Sequence, residues 1–164
     1  MKRTCLSVLL LVAGLFLITG ALAMSHKGHP KPEGLAVIDY ITKTNDYSQW
    51  ALWPGKGKLY KGQHPHGALL TTYVSADALQ ALEGKVGVLP AGAMVVKENY
   101  TADKKLDAIT VMYKSKGYDA AAGDWFWLKY GTDGKIMAEG KVKGCIGCHA
   151  SVKGNDWLFT GPLK

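Results

Sequence analysis

The spacing of apolar and polar positions changes several times along the chain, and each change marks a predicted element. Met1-Lys2-Arg3 leads into an apolar run from Cys5 to Leu22 that closes on Ala21-Leu22-Ala23. That is the layout of a secretory signal peptide over residues 1–23, cleaved after Ala23. A retained membrane anchor is the other reading of the run, since a spanning helix needs about 20 apolar residues. Residues 24–34, with His26, His29, Pro30 and Pro32, have no apolar period and are expected to form a flexible leader. Leu35, Ile38 and Ile41 then recur at helical spacing and predict a short helix. The stretch Trp53–Gly67 follows, broken by Pro54, Gly55, Gly57, Gly62, Pro65 and Gly67, and is expected to be a long loop running from the surface to a pocket.

From there the period shortens to that of a pleated strand. Ala68–Val74 suits a strand, and Ser75 offers an N-cap for a helix to about Glu83 that stops at Gly84. Gly92–Tyr100, Leu106–Lys114 and Asp124–Tyr130 read as further strands, and Gly131-Thr132-Asp133-Gly134 as a hairpin turn into Lys135–Ala138. Strands follow one another without helical crossovers or internal repeats, which argues against an open α/β fold and against a four-helix bundle. The expected fold class is α+β, mainly an antiparallel sheet with a few short helices, in one domain spanning 35–164.

Alternation within the strands assigns faces. Ala93, Val95 and Lys97 share one, while Met94, Val96 and Glu98 share the other. If both faces are covered, a charged side chain points inward, and a buried charge needs a partner, a shifted pKa or a covalent fate. Trp125, Phe126, Trp127 and Tyr130 make the next-to-last strand apolar on both sides, as ordinary core or as pocket wall.

Charge removes some function classes. The formal net charge is +7, and +5 without Lys2 and Arg3. Arg3 is the only arginine. A nucleic-acid reader uses arginine for bidentate base and phosphate contacts, so no nucleic-acid partner is expected. The lysines are spread along the chain as on a solvated surface, though an acidic redox partner would also suit them.

Cysteine usage carries the sharpest signal. Cys5 would leave with the signal peptide, and only Cys145 and Cys148 remain, too close together to staple a domain. They form Cys145-Ile146-Gly147-Cys148-His149, the C-x-x-C-H pattern of c-type haem attachment. In it two thiols bond the porphyrin and the adjacent imidazole ligates the iron. A redox dithiol would want a βαβ setting, and a zinc site a second ligand pair; neither is present. One covalent haem c is expected, with His149 as an axial iron ligand. An exported, periplasmic location suits this chemistry. For the iron's other face, Met94, Met112 and Met137 are the methionine candidates, and His64 and His66 the loop histidines. Core or surface roles are the ordinary alternatives for each.

These residues resemble the cytochrome P-460 family, which includes the cytochromes c′-beta. The resemblance spans most of the mature chain. It rests on His64-Pro65-His66-Gly67 leading to Thr71-Thr72-Tyr73, and on Pro90 to Tyr100. It continues through Val111-Met112-Tyr113-Lys114, Gly117-Tyr118-Asp119 and Gly123-Asp124-Trp125-Phe126-Trp127. It ends with the haem motif and Asn155-Asp156-Trp157-Leu158-Phe159-Thr160. It implies a mostly antiparallel β fold, often dimeric, with a high-spin haem held by the motif histidine and an open opposite face. Some members carry a lysine bonded to the haem edge and oxidise hydroxylamine; c′-beta members lack that bond and bind nitric oxide. Lys97 occupies the lysine's motif position. The glutamate and arginine that assist proton transfer in the hydroxylamine-oxidising members fall near Thr110 and at Leu70, and neither residue can act as a base, which leaves Glu98, Asp107 or His66 to move into that role.

Three functions therefore stand open. In the first the protein binds nitric oxide or a related nitrogen oxide between walls that include Leu70, Thr110 and Met112. In the second it oxidises hydroxylamine, with Lys97 tuning the ring and a partner cytochrome taking the electrons. In the third it is a plain electron carrier with a strong sixth ligand, for which His66 and Met112 are the candidates. A homodimer is expected from the resemblance alone.

Overall fold

The computed structural model describes residues 28–159 and Leu163. The signal peptide, and the part of the leader before Gly28, lie outside the described residues. No helix among the described residues is long and apolar enough to cross a membrane.

Seven strands build one antiparallel sheet: β1 (Ala51–Leu52), β2 (Tyr60–Lys61), β3 (Leu69–Val74), β4 (Met94–Tyr100), β5 (Leu106–Lys114), β6 (Trp125–Gly131) and β7 (Ile136–Gly140). The order is β1-β3-β4-β5-β6-β7, with β2 also pairing β3. This is the expected class, mainly antiparallel sheet with a few short helices, and strand bounds fall within two residues of those read from the sequence. The Trp53–Gly67 loop is interrupted by β2, which pairs Tyr60 with Leu70.

Both faces of the sheet are covered, and the period-two alternation sorts the side chains between them. One face carries Tyr73, Met94, Val96, Ile109, Val111, Phe126 and Leu128. Helix α1 (Gly34–Asp39), extended by a π-helical turn over Tyr40–Thr44, lays Val37 and Ile41 on it. The covering stripe is Gly34, Val37 and Ile41 rather than Leu35, Ile38 and Ile41; Leu35 is 72% exposed. A helix that must seat against a sheet uses the stripe its anchors dictate. Here Gly34 N–H donates to Glu139 Oε2 at 2.7 Å, turning the Gly34 side inward. The described end of the leader also lies on the sheet, where Tyr113 O–H donates to the Pro30 carbonyl at 2.8 Å.

The opposite face carries Val74, Val95, Trp125 and Trp127. Helix α2 (Ala76–Glu83) covers it with Ala78 and Ala81, and helix α3 (Lys143–His149) with Cys145 and Ile146. Ser75 stands at the N-cap of α2 and Gly84 at its C-cap, as expected. The Ser75 hydroxyl, however, accepts from the Met94 N–H at 3.0 Å, so it ties the helix to β4 rather than capping it.

Candidate haem site

The haem motif lies on α3, which the chain enters from β7. Over one helical turn Cys145 and Cys148 stand about 4.5 Å apart along the axis, and His149 follows on the side turned to the sheet. Both thiols are free, Cys145 half-buried and Cys148 exposed, while His149 is buried. Burial pushes the Cys145 thiol up.

The His149 ring is held from several directions. It packs edge-on against Trp127 at 4.7 Å and Phe159 at 5.0 Å between ring centres. Its Nδ1 lies 2.7 Å from the Trp157 carbonyl oxygen. A carbonyl only accepts, so Nδ1 carries the proton and Nε2 keeps its lone pair, the arrangement an axial iron ligand needs. Burial, and then the positive charge of Lys97, lower the pKa of His149 and favour this neutral form, against the pull of the Trp157 hydrogen bond.

The Trp157 carbonyl is aimed by an unusual turn. Asp156 and Trp157 are both left-handed, at φ 52° and 65°. Lys114 Nζ holds Asp156 Oδ1 at 2.5 Å in a buried ion pair, and the Leu89 N–H donates to the other carboxylate oxygen at 2.8 Å. Trp125 Nε1–H donates to the Asp156 carbonyl at 3.0 Å. Gly123 makes room for the Trp157 ring: a Cβ there would lie 2.6 Å from it.

Sheet register brings the other expected residues to the same face. Leu70 pairs with Asn99, and Asn99 with Ala108; Thr72 pairs with Lys97, Lys97 with Thr110, and Thr110 with Lys129; Val95 pairs with Met112, and Met112 with Trp127. Lys97 therefore occupies the row between the one bearing Asn99 and the one bearing Trp127. Its side chain is half-buried, and no hydrogen bond or ion pair of its amine is recorded among the described residues. Burial pushes its pKa down to about 8. Leu70, Thr110 and Met112 share this face with it.

His66 is brought to the site from the loop before β3. Its Nδ1 lies 3.1 Å from Asn99 Oδ1. The Asn99 amide nitrogen donates to the Lys97 and Ala108 carbonyls at 2.9 and 3.2 Å, and its oxygen accepts from the Gly67 N–H at 3.3 Å. The oxygen is thus an acceptor and His66 Nδ1 a donor. The His66 ring centre is 6.4 Å from that of His149, at 84° between planes. Burial, then the Lys97 charge, lower its pKa to about 4, against the pull of the Asn99 bond.

Several candidates are not brought together. Met94 is on the opposite face, 1% exposed, and Met137 is 60% exposed on β7, so neither reaches the imidazoles. His64 is exposed in the loop. Glu98 faces the far side of the sheet, where its carboxylate accepts from Tyr47 O–H at 3.1 Å and Tyr100 O–H at 2.7 Å. Asp107 is exposed on β5. Asn99 was missed as a functional residue, although the alternation that turns Lys97 inward turns Asn99 inward too. Trp127, read as core or wall, is the ring that supports His149.

These residues fit a covalent haem. Two free thiols precede a buried imidazole whose Nδ1 is committed to a carbonyl, a second imidazole stands edge-on to it, and Trp127 Nε1 beside them is buried without a hydrogen-bond partner. No cluster of three or more His, Cys, Asp or Glu side chains among the described residues could hold a bare metal ion. Comparison with curated proteins finds no match. The family model described as Cytochrome P460 matches residues 44–160, which is most of the chain and takes in both the His66 loop and the motif on α3. The chain belongs to the cytochrome P460 family, whose cofactor is haem c.

Proposed function

We propose that this protein is an exported mono-haem cytochrome that binds nitric oxide or a closely related nitrogen oxide on the iron face opposite His149. Cys145 and Cys148 would tether the ring, and His149 would hold the iron through Nε2. When bound, haem c supplies an iron that takes one small ligand or exchanges one electron. The chain's own residues do the rest. The Trp157 carbonyl keeps the proton on His149 Nδ1, Trp127 and Phe159 brace the imidazole, and Leu70, Thr110 and Met112 restrict what fits beside the iron.

One observation carries the choice between nitrogen oxide binding and hydroxylamine oxidation: among the described residues, strands β3 to β6 put no carboxylate on the face that bears Lys97, and Asp156 beyond them is committed to Lys114. Oxidising hydroxylamine requires removal of its protons as electrons leave, and that needs a base within hydrogen-bond reach. Glu98 is committed to two tyrosines on the other face and Asp107 points to solvent. A neutral diatomic needs no such base. Lys97, with its lowered pKa, is equally available as a bystander or as an amine bonded to the haem edge. A digest covering Lys97 separates these two states by mass.

Titrating the reduced protein with nitric oxide tests the proposal. The expected result is a saturable change in the Soret band, with hydroxylamine producing no steady electron flow to an added acceptor cytochrome. Turnover of hydroxylamine, or a reduced spectrum indifferent to nitric oxide, would reject it in favour of the enzyme or the plain electron carrier. A partner cytochrome that sets the iron's oxidation state and a homodimeric assembly belong to the same proposal; sedimentation of the mature protein checks the second.

A further inference from the structure

Trp127 and Lys129 stand two positions apart on β6, so their side chains leave the same face of the sheet about 7 Å apart. That is the face of Lys97: Trp127 pairs with Met112, and Lys129 with Thr110. The Trp127 side chain is buried, 3% exposed, and its Nε1–H has no hydrogen-bond partner. A buried donor gives up its hydrogen bond to water on folding and is seldom left without an acceptor. The Lys129 amine is half-buried and takes part in none of the ion pairs among the described residues. Its positive charge pulls down the pKa of His66, and that of Cys145 against the effect of burial, so the charge is felt inside the site.

Their neighbours' side chains do not supply the missing acceptor. On the inner flank, Met112 offers only a thioether beside Trp127. The Thr110 hydroxyl beside Lys129 already accepts from the Asn99 amide at 3.2 Å and donates to the Lys97 carbonyl at 3.4 Å. On the outer flank, β7 places Gly140 beside Trp127 and Ala138 beside Lys129. These small residues bring no side-chain oxygen and leave room along β6. Strands β3 to β6 put no carboxylate on this face, and Asp156 is committed to Lys114. An N–H donor and an ammonium on one face, with no anion of the chain's own between them, are the partners that a carboxylate takes best. Haem c carries two carboxylates, its propionates, into a site whose sheet face is otherwise cationic.

We propose that Trp127 Nε1–H and the Lys129 amine together hold one haem propionate against β6, as a non-covalent anchor added to the two thioethers. The hydrogen bond satisfies the buried indole, and the ammonium keeps the carboxylate ionised. Because Trp127 also packs on His149, one side chain then braces both the axial imidazole and the acid group of the ring. The inference rests on haem c alone and not on which small ligand the iron takes, so its failure would leave the proposed function standing.

The test uses the mature haem protein. Ultraviolet resonance Raman spectra, with the Trp127 band assigned by its loss in Trp127→Phe, should show a hydrogen-bonded indole nitrogen. The propionate bending mode in the visible resonance Raman spectrum should shift in Trp127→Phe and in Lys129→Met. It should stay in place in Lys135→Met, which removes the same charge from the exposed turn between β6 and β7. The reduction potential should fall in Lys129→Met, because an unpaired carboxylate favours the ferric ion, and return in Lys129→Arg. A free Trp127 N–H in the wild type would overturn the inference. So would a bonded indole with a propionate mode that neither variant moves, since the acceptor would then be a buried water. Should Trp127→Phe fail to mature, the propionate mode in Lys129→Met against Lys135→Met decides by itself.

Discussion

His149 can serve as a ligand only while its Nε2 is unprotonated, and a single carbonyl, that of Trp157, enforces that state. Lys97 is the second residue whose chemistry depends on its surroundings. Its pKa falls from 10.5 to about 8 because burial disfavours the charged amine. Below pH 8 the amine is charged in both folded and unfolded chains, and its burial costs at most about 3 kcal/mol. As pH rises from about 8 to 10.5 the folded chain gives up its proton first, the unfolded chain holds more protons, and stability climbs. Lys97→Met should thus be the more stable protein at pH 7 in urea denaturation and should lose the rise between pH 8 and 10. A wild type that also lacks the rise would point to an amine already bonded to haem, which the Lys97 digest identifies. Alternation put Lys97 and Glu98 on opposite faces and left open which of them turns to a pocket; the resemblance favoured Lys97. The nearness of its charge to both imidazoles was not legible, because that depends on a loop and a helix far apart in the chain.

At the scale of elements, α3 and the turn after it depend on one buried ion pair. Lys114 projects from the end of β5 over the Trp125 ring, at 4.7 Å, to reach Asp156. Asp156→Asn leaves the lysine buried without its counter-charge, and removing one partner of such a pair typically costs about 3 kcal/mol or more. The expected urea midpoint is correspondingly lower. The Trp157 carbonyl would also lose its fixed aim, so the iron's spectrum should broaden. A midpoint unchanged from wild type would mean that the pair contributes nothing to holding the segment. Strand positions were readable because their side chains alternate with a period of two and their ends carry Gly, Pro or Asp. The stripe of α1 was misread because Leu35, Val37, Ile38 and Ile41 offer two overlapping helical stripes. Only the Gly34–Glu139 contact chooses between them.

For the whole molecule, the sheet separates two tasks. The face under α1 is an apolar core with no site residue in it, and the face under α2 and α3 carries the imidazoles and Lys97. Replacing both thiols, Cys145→Ser with Cys148→Ser, should abolish the haem-stained band on a denaturing gel and yet leave the β-sheet circular dichroism, since the first core does not depend on the cofactor. Loss of the sheet signal as well would show that haem is needed for the fold. The sequence by itself determined the C-x-x-C-H motif, the run of antiparallel strands and which residues of the Lys97 strand share a face, because spacing along a strand or a motif is a local property of the chain. Only the tertiary structure decided that His66 faces His149, that Met94 and Met137 stand away from the site, and that Asn99 and Trp157 orient the two imidazoles. Those juxtapositions come from sheet register and from loops closing across distant parts of the chain, which no local period encodes.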